Sequence, residues 1–302
     1  MDLITVREIR VPRDRSGLVF GPGEHPLGGG TWLFSEPQPG LTGLVDLTTL
    51  GWTPLEVDRD ADRLTVAATC TIAELTRLPA EADWLAHPLI GQCANSLLAS
   101  FKIWNTATVG GNIATSLPAG PMTSLMAALD ATALVWTADG GERHLPVSDF
   151  VTGVRQNALG HGDVLRALEV PLASLRSRTA FRRIALSELG RSGTLVIGRV
   201  AADGELVITV TAGTPRPVQL SFAELPSADA LETALLRVDD WYDDPHGAPD
   251  WRRHVSTLFA HEIRDELAGP PPQAPPAPAP AAPAPATAPA PAAPAAPAGG
   301  AA

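Results

Sequence analysis

The apolar positions change their period along the chain, and the changes mark out elements. Ile4, Val6 and Ile9 alternate with polar neighbours, so residues 4–11 read as a strand. Residues 12–26 are rich in Pro, Gly and charge and leave room for at most a short helix. Residues 44–47 and 63–68 read as further strands, and Thr71, placed three residues before Glu74, gives the capping-box pattern that opens a helix. Leu89, Ile90, Cys93, Leu97 and Leu98 recur at helical spacing, which predicts a core helix over 87–101. A second helix is expected over 122–131, just after Pro121. Residues 133–136 then read as a strand closed by the turn Asp139-Gly140-Gly141, and 164–171 as the last strand of this part.

From about Arg178 the pattern lengthens. Residues 194–200 and 205–212 read as antiparallel strands hinged at Asp203-Gly204, and helical spacing returns over 228–237 and 251–267. In the last of these, Trp251, Val255, Leu258, Phe259 and Ile263 form the expected buried stripe. After Gly269 the sequence is almost only Ala and Pro. That composition predicts a polyproline-II-rich tail with no core of its own, serving either as a solvated extension or as a spacer or partner-binding arm.

With 302 residues and 45% hydrophobic content, the chain can bury a sizeable core. A formal net charge of −11 argues against a nucleic-acid or anionic-membrane surface. Asp130 interrupts the best apolar run, and the N-terminus lacks a basic segment followed by an apolar core, so the expectation is a cytoplasmic protein without a membrane span. Cys70 and Cys93 are the only cysteines and read as buried thiols. Two cannot hold a [2Fe–2S] cluster unaided. The seven histidines show no metal-ligand spacing, so no metal site is expected.

Candidate chemistry lies in two glycine runs, Gly28-Gly29-Gly30-Thr31 and Thr108-Val109-Gly110-Gly111-Asn112. Glycine permits positive φ and close approach of the main chain to a ligand, and successive inward N–H groups make an anion site without basic side chains. A lone Gly-Gly pair is equally a tight turn. Two such runs, each beside hydroxyl or amide groups, suit a cofactor whose phosphates are held from two sides.

These motifs resemble the FAD-binding medium subunit of the molybdenum hydroxylases, the xanthine dehydrogenase and carbon monoxide dehydrogenase family. The first run is similar to that family's Ala-Gly-Gly-Thr loop, and residues 103–112 to its second flavin loop. The likeness continues through Pro118-Ala119, residues 128–131, Glu169-Val170-Pro171, Arg216-Pro217-Val218 and residues 251–254, and reaches about Leu267. It implies an α+β fold: a two-lobed PCMH-type FAD-binding domain over 1–175, divided near 55; a smaller α+β C-terminal domain over 176–268, as in CO dehydrogenase flavoproteins; and a disordered Ala/Pro-rich tail over 269–302.

The resemblance also implies FAD as cofactor, with Gly28, Gly29, Gly30 and Thr31 on the pyrophosphate. Thr108, Val109, Gly110, Gly111 and Asn112 would approach it and the ribityl chain from the other side. Leu165 matches an apolar position set against the flavin, an ordinary core residue being the rival account. Arg182 matches a basic position near the ring edge, with a surface salt bridge as its rival. Three departures fall close to the cofactor: Pro121 stands where an Asp is usual, Trp104 where an Arg is usual, and Trp32 where a polar residue is common.

The function implied is electron transfer. FAD on this chain would carry electrons from [2Fe–2S] clusters on a small subunit, supplied by substrate oxidation at a molybdenum cofactor on a large subunit, to an external acceptor. No acid–base or nucleophile set is evident, so no catalytic residue is expected here. Two alternatives stay open at this stage: a self-sufficient flavin oxidoreductase, and a degenerate scaffold of the same fold without flavin.

Overall fold

The structure is a computed structural model that describes residues 3–270; the expected Ala/Pro tail beyond Pro270 lies outside the described residues. Strands β1 (Glu8–Arg10), β2 (Glu24–Leu27) and β3 (Gly43–Asp46) make a parallel sheet in the order β1-β3-β2. The strand expected over 4–11 thus shortens to three residues, and the Pro- and Gly-rich link to β2 holds a single 3-10 turn, Arg15–Gly17. A second, antiparallel sheet begins at Leu55. It comprises β4 (Leu55–Asp58), β5 (Arg63–Ala67), β6 (Thr132–Trp136) and β7 (Glu142–Pro146). After these come a small hairpin, β8 (Val151–Gly153) with β9 (Gln156–Asn157), and then β10 (Val164–Pro171), which completes the sheet in the order β4-β5-β10-β6-β7.

Six helices cover this region: α1 (Ile72–Thr76), α2 (Pro88–Ala94), α3 (Val109–Thr115), α4 (Pro121–Ala128), α5 (Val147–Phe150) and α6 (Leu172–Arg176). The capping box at α1 forms as read: Glu74 N–H donates to Thr71 Oγ1 at 3.1 Å, and Thr71 N–H donates to Glu74 Oε2 at 2.8 Å. The helix expected over 87–101 stops at Ala94. Asn95 N–H makes the last helical bond, to Gly91 O (3.0 Å); Ser96 N–H then turns to Cys93 O (2.9 Å) while its Oγ takes Gln92 O (3.0 Å), the carbonyl that the next helical bond would use. The chain that follows is an irregular loop whose Leu98 and Phe101 face solvent.

The remainder is a four-stranded antiparallel meander, β11 (Arg178–Ala185), β12 (Ser192–Val200), β13 (Leu206–Thr211) and β14 (Val218–Phe222), followed by α7 (Ala228–Leu235) and α8 (Pro249–Ala268). Strand β12 is buried on both faces. Leu195 and Ile197 join the core that contains α4, and Val196 joins the one that contains Ile263 and Leu267 of α8. A strand sandwiched between two helices reads as a continuous apolar run, and Leu195-Val196-Ile197 is one. Gly198 lets α8 come close, since a Cβ there would meet Leu267 Cδ1 at 2.9 Å. The chain through Pro270 forms one compact unit.

The buried face of α8 differs from the apolar stripe expected. Leu258 is 50% exposed, whereas Arg252 is 1% exposed and lies in register with Ser256, Ala260, Ile263 and Leu267. Arg252 Nη1 donates to Gly193 O at 2.7 Å and Nε to Gly247 O at 2.8 Å, and the guanidinium also reaches Ala212 O and pairs with Asp244. Burial of this cation is tolerable because its donors are matched. Removing it takes the charged partner from Asp244 and a donor from the carbonyls of Gly193, Ala212 and Gly247. Arg252→Leu should therefore lower the unfolding free energy by about 3–5 kcal/mol, read from urea melts. A loss under about 1 kcal/mol would show that the cluster adds little.

Candidate functional site

Helix α3 carries the second glycine run, and its first turn is satisfied from within the protein. Val109 N–H donates to Cys70 O (2.8 Å), Gly110 N–H to Ala68 O (2.9 Å), Gly111 N–H to Thr108 Oγ1 (3.1 Å) and Asn112 N–H to Thr108 O (3.0 Å). Three of the four donors that an α-helix leaves without intrahelical partners are thereby matched, Asn112 making the first helical bond; the amide of Thr108, the N-cap, donates to no acceptor among the described residues. Gly110 is glycine for packing: a Cβ would run into the backbone of Ala68, the residue just after β5. Neither Gly110 nor Gly111 has positive φ, contrary to the role expected of them, because both lie in the first helical turn. Gly111 is exposed and offers a bare main-chain surface.

The first run behaves differently. Gly30 has φ +68°, and the chain folds into a turn closed by Phe34 N–H to Gly30 O (2.8 Å) and Ser35 N–H to Trp32 O (3.0 Å). Among the described residues, the amides of Gly29, Gly30, Thr31 and Trp32 donate to no protein acceptor. Successive unpaired N–H groups on one turn form a concave site for an anion. The loop also lies directly on the second one. A Cβ on Gly28 would stand 2.8 Å from Thr108 Oγ1, and one on Gly29 would collide with the Thr106 carbonyl. Here glycine is required by close approach of backbone to backbone.

Together the two runs border a cleft of about 820 Å³ that follows the exposed side of α3, through Gly111, Asn112, Ala114 and Thr115. That volume lies within the usual range for cofactor sites. At the far end of α3 the cleft is walled by the β8–β9 hairpin, where Asn157 Nδ2 donates to Ala114 O (2.8 Å) and Arg155 N–H to Ser116 O (2.8 Å). Those bonds satisfy carbonyls at the helix C-terminus. Asn112 is fixed by its carbonyl: Oδ1 accepts from Met122 N–H at 3.0 Å, capping α4. Its amide nitrogen makes no hydrogen bond to the described residues and is available along the cleft. Leu97, Leu98 and Ile103 add an apolar wall.

Of the residues expected at the site, Gly28, Gly29, Gly30, Thr31, Thr108, Gly111 and Asn112 line this cleft. Val109 and Gly110 are buried beneath it. Leu165 is 4% exposed, is part of the core and does not line the cleft. Arg182 is outside the cleft. Its guanidinium bridges Glu262 (2.7 Å) and Glu266 (2.8 Å) of α8, which raise its pKa. The expected ring-edge cation is thus a clamp between β11 and α8.

The departures resolve as well. Pro121 is buried at the first turn of α4, where a missing N–H costs nothing. Trp32 lines the cleft, whereas Trp104 packs on the core with its Nε1 buried and unpartnered. Both cysteines are buried, and desolvation pushes the Cys70 thiol up to about 12. Sequence reading missed the wall formed by Arg155, Asn157 and residues 159–163. The Gly-His-Gly-Asp turn at 160–163 was its visible signal.

Residues 17–173, just over half of the chain, match the family described as the FAD binding domain in molybdopterin dehydrogenase. The chain belongs to that family, and FAD is its cofactor. Relatives include the caffeine dehydrogenase subunit beta of Pseudomonas sp. (strain CBB1), 31% identical over 98 residues, 32% of this chain and 33% of that protein. The nicotinate dehydrogenase FAD-subunit of Eubacterium barkeri is 35% identical over 95 residues, 30% of this chain and 32% of that protein. The matched stretch spans about a third of the length of each of these relatives.

The fold is shared more widely. Quinoline 2-oxidoreductase from Pseudomonas putida 86 superposes with a TM-score of 0.73 at 22% identity, covering 86% of this chain and 96% of that one. Carbon monoxide dehydrogenase from Hydrogenophaga pseudoflava gives 0.73 at 17% identity over the same shares. The described part of the α+β architecture inferred from the motifs is therefore the fold observed.

The two glycine runs should respond differently to a single methyl group. Gly29→Ala forces the loops apart and should abolish FAD retention while leaving the melting temperature within a few degrees of wild type. Gly110→Ala overpacks α3 against Ala68 and should cost about 1–3 kcal/mol of stability. Flavin absorbance per chain and thermal melts of both variants check this. Full flavin retention in Gly29→Ala would refute the close-approach argument.

Proposed function

We propose that this chain is the FAD-carrying electron-transfer subunit of a multi-subunit molybdenum hydroxylase. It takes electrons from iron–sulfur clusters on a partner chain and delivers them to an external acceptor. The observation that carries the reading is the cleft itself, with unpaired amides from Gly29 to Trp32 at one end and the exposed side of α3 as its floor. The cofactor, when bound, supplies the electron-accepting and electron-donating chemistry. The chain supplies binding and shielding. Amides of the first loop hold the diphosphate, Asn112 Nδ2 reaches along the cleft to a polar group of the cofactor, and Leu97, Leu98 and Ile103 limit water. The names of two relatives, a dehydrogenase subunit beta and an FAD-subunit, fit a chain that works beside others.

The partners expected are a large subunit with the molybdenum cofactor and a small subunit with [2Fe–2S] clusters. Two buried cysteines give this chain no cluster ligands of its own. Among the described residues no helix is long and apolar enough to cross a membrane.

Affinity purification of the tagged chain from its native cells, followed by visible spectroscopy and metal analysis, should recover FAD together with iron and molybdenum on other chains. A flavin-containing chain recovered alone that oxidises a substrate unaided would overturn the subunit reading. Denaturing the protein should release all of the flavin colour into the supernatant, since no tether is expected. Colour retained by the precipitated chain would mean a covalent link.

A further inference from the structure

The cleft holds one uncompensated charge among its described lining residues. Counting histidines as neutral, the charged side chains there are Glu24, Asp163 and Arg155. Glu24 is paired with Arg10 at 2.7 Å and Asp163 with Arg143 at 3.1 Å. Arg155 has no acidic partner among the described residues, and its side chain is exposed into the cleft. Its backbone is also unusual. Arg155 has φ +55°, a left-handed conformation that a residue with a Cβ adopts at a cost, and its N–H is pinned to Ser116 O at the C-terminal end of α3. Glycine would fit that turn with less strain, yet the position carries an arginine.

We infer that Arg155 is a cofactor-binding residue whose guanidinium neutralises the diphosphate of the dinucleotide, opposite the amides of the Gly28–Trp32 loop. This rests on the reading of the cleft as the FAD site. The diphosphate is the anionic part of oxidised FAD, and a guanidinium forms charge-assisted, often bidentate, bonds to phosphate oxygens. A loop of neutral amides at one end of α3 and a cation carried by the hairpin at the other would hold one diphosphate from two directions. The hairpin's bonds to Ala114 and Ser116 anchor the backbone of that arginine, leaving its side chain free to reach the anion.

Arg155→Gly is the informative variant, because it removes the charge at a position where glycine suits the backbone, so the fold should be kept or slightly stabilised. The flavin-free chain, wild type and variant, is titrated with FAD, ADP and riboflavin at several salt concentrations. The expected result is FAD and ADP binding at least about ten-fold weaker in the variant, with a shallower salt dependence, and unchanged riboflavin binding. Arg155→Lys should recover part of the loss. Unchanged ADP affinity in a folded Arg155→Gly would overturn the inference, as would a loss confined to riboflavin, which would put the guanidinium on the flavin ring. A wild-type chain that bound neither FAD nor ADP would instead refute the cleft as the flavin site, and the inference with it.

Discussion

Helix α3 starts inside the protein, and much of the site's logic follows from that. Its amides from Val109 to Asn112 meet Cys70 O, Ala68 O, Thr108 Oγ1 and Thr108 O, so at the helix start only the N-cap amide of Thr108 is left for a phosphate. The larger set of unpaired amides is that of the Gly28–Trp32 turn, which presses against Thr106 and Thr108 through two glycines. The two runs that look alike in sequence have separate duties. One offers donors; the other seats a helix against the sheet.

Helix α4 links this arrangement to the rest of the molecule. All eight of its residues are buried, so both of its ends need partners within the protein. Asn112, from the cleft, accepts from Met122 N–H at the helix start. At the other end, Arg199 Nε and Gln219 Nε2 of the meander donate to Ala128 O (3.0 Å) and Ala127 O (2.8 Å), and Arg199 pairs with Asp130. Ser124 and Thr211 share a hydroxyl bond of 2.6 Å midway. One helix thus joins the cleft floor to the meander by hydrogen bonds at both of its ends.

The sequence disclosed these features unevenly. Capping chemistry was legible, because Thr71 and Glu74 act over three residues and need nothing distant. The helix over 87–101 was overextended, since Leu97 and Leu98 keep helical spacing while the Ser96 hydroxyl takes Gln92 O and its amide turns to Cys93 O. The phase of α8 was misread because Leu258 is apolar and Arg252 is not, and only the carbonyls of Gly193, Gly247 and Ala212 explain why the arginine points inward. Seven of the nine residues in the glycine runs line the cleft, whereas most of its other walls lay outside those runs. Arg155 was invisible for a physical reason: its significance lies in contacts with α3, 39 residues away along the chain, rather than in any local pattern.

The burial of β12 on both faces bears on how such a chain could be cut or recombined. Leu195 and Ile197 are covered only where α4 is present, so a meander made without the first 175 residues would display an apolar sheet face to solvent. The helix that would shield it lies within residues 17–173, the part that matches the FAD-binding family. Gene fusion or exchange between α6 and β11, where the motifs lead one to expect a boundary, would thus separate two halves of one interior. A viable junction would have to carry α4 along with the meander, or come after Gly269, where the described helical structure has ended.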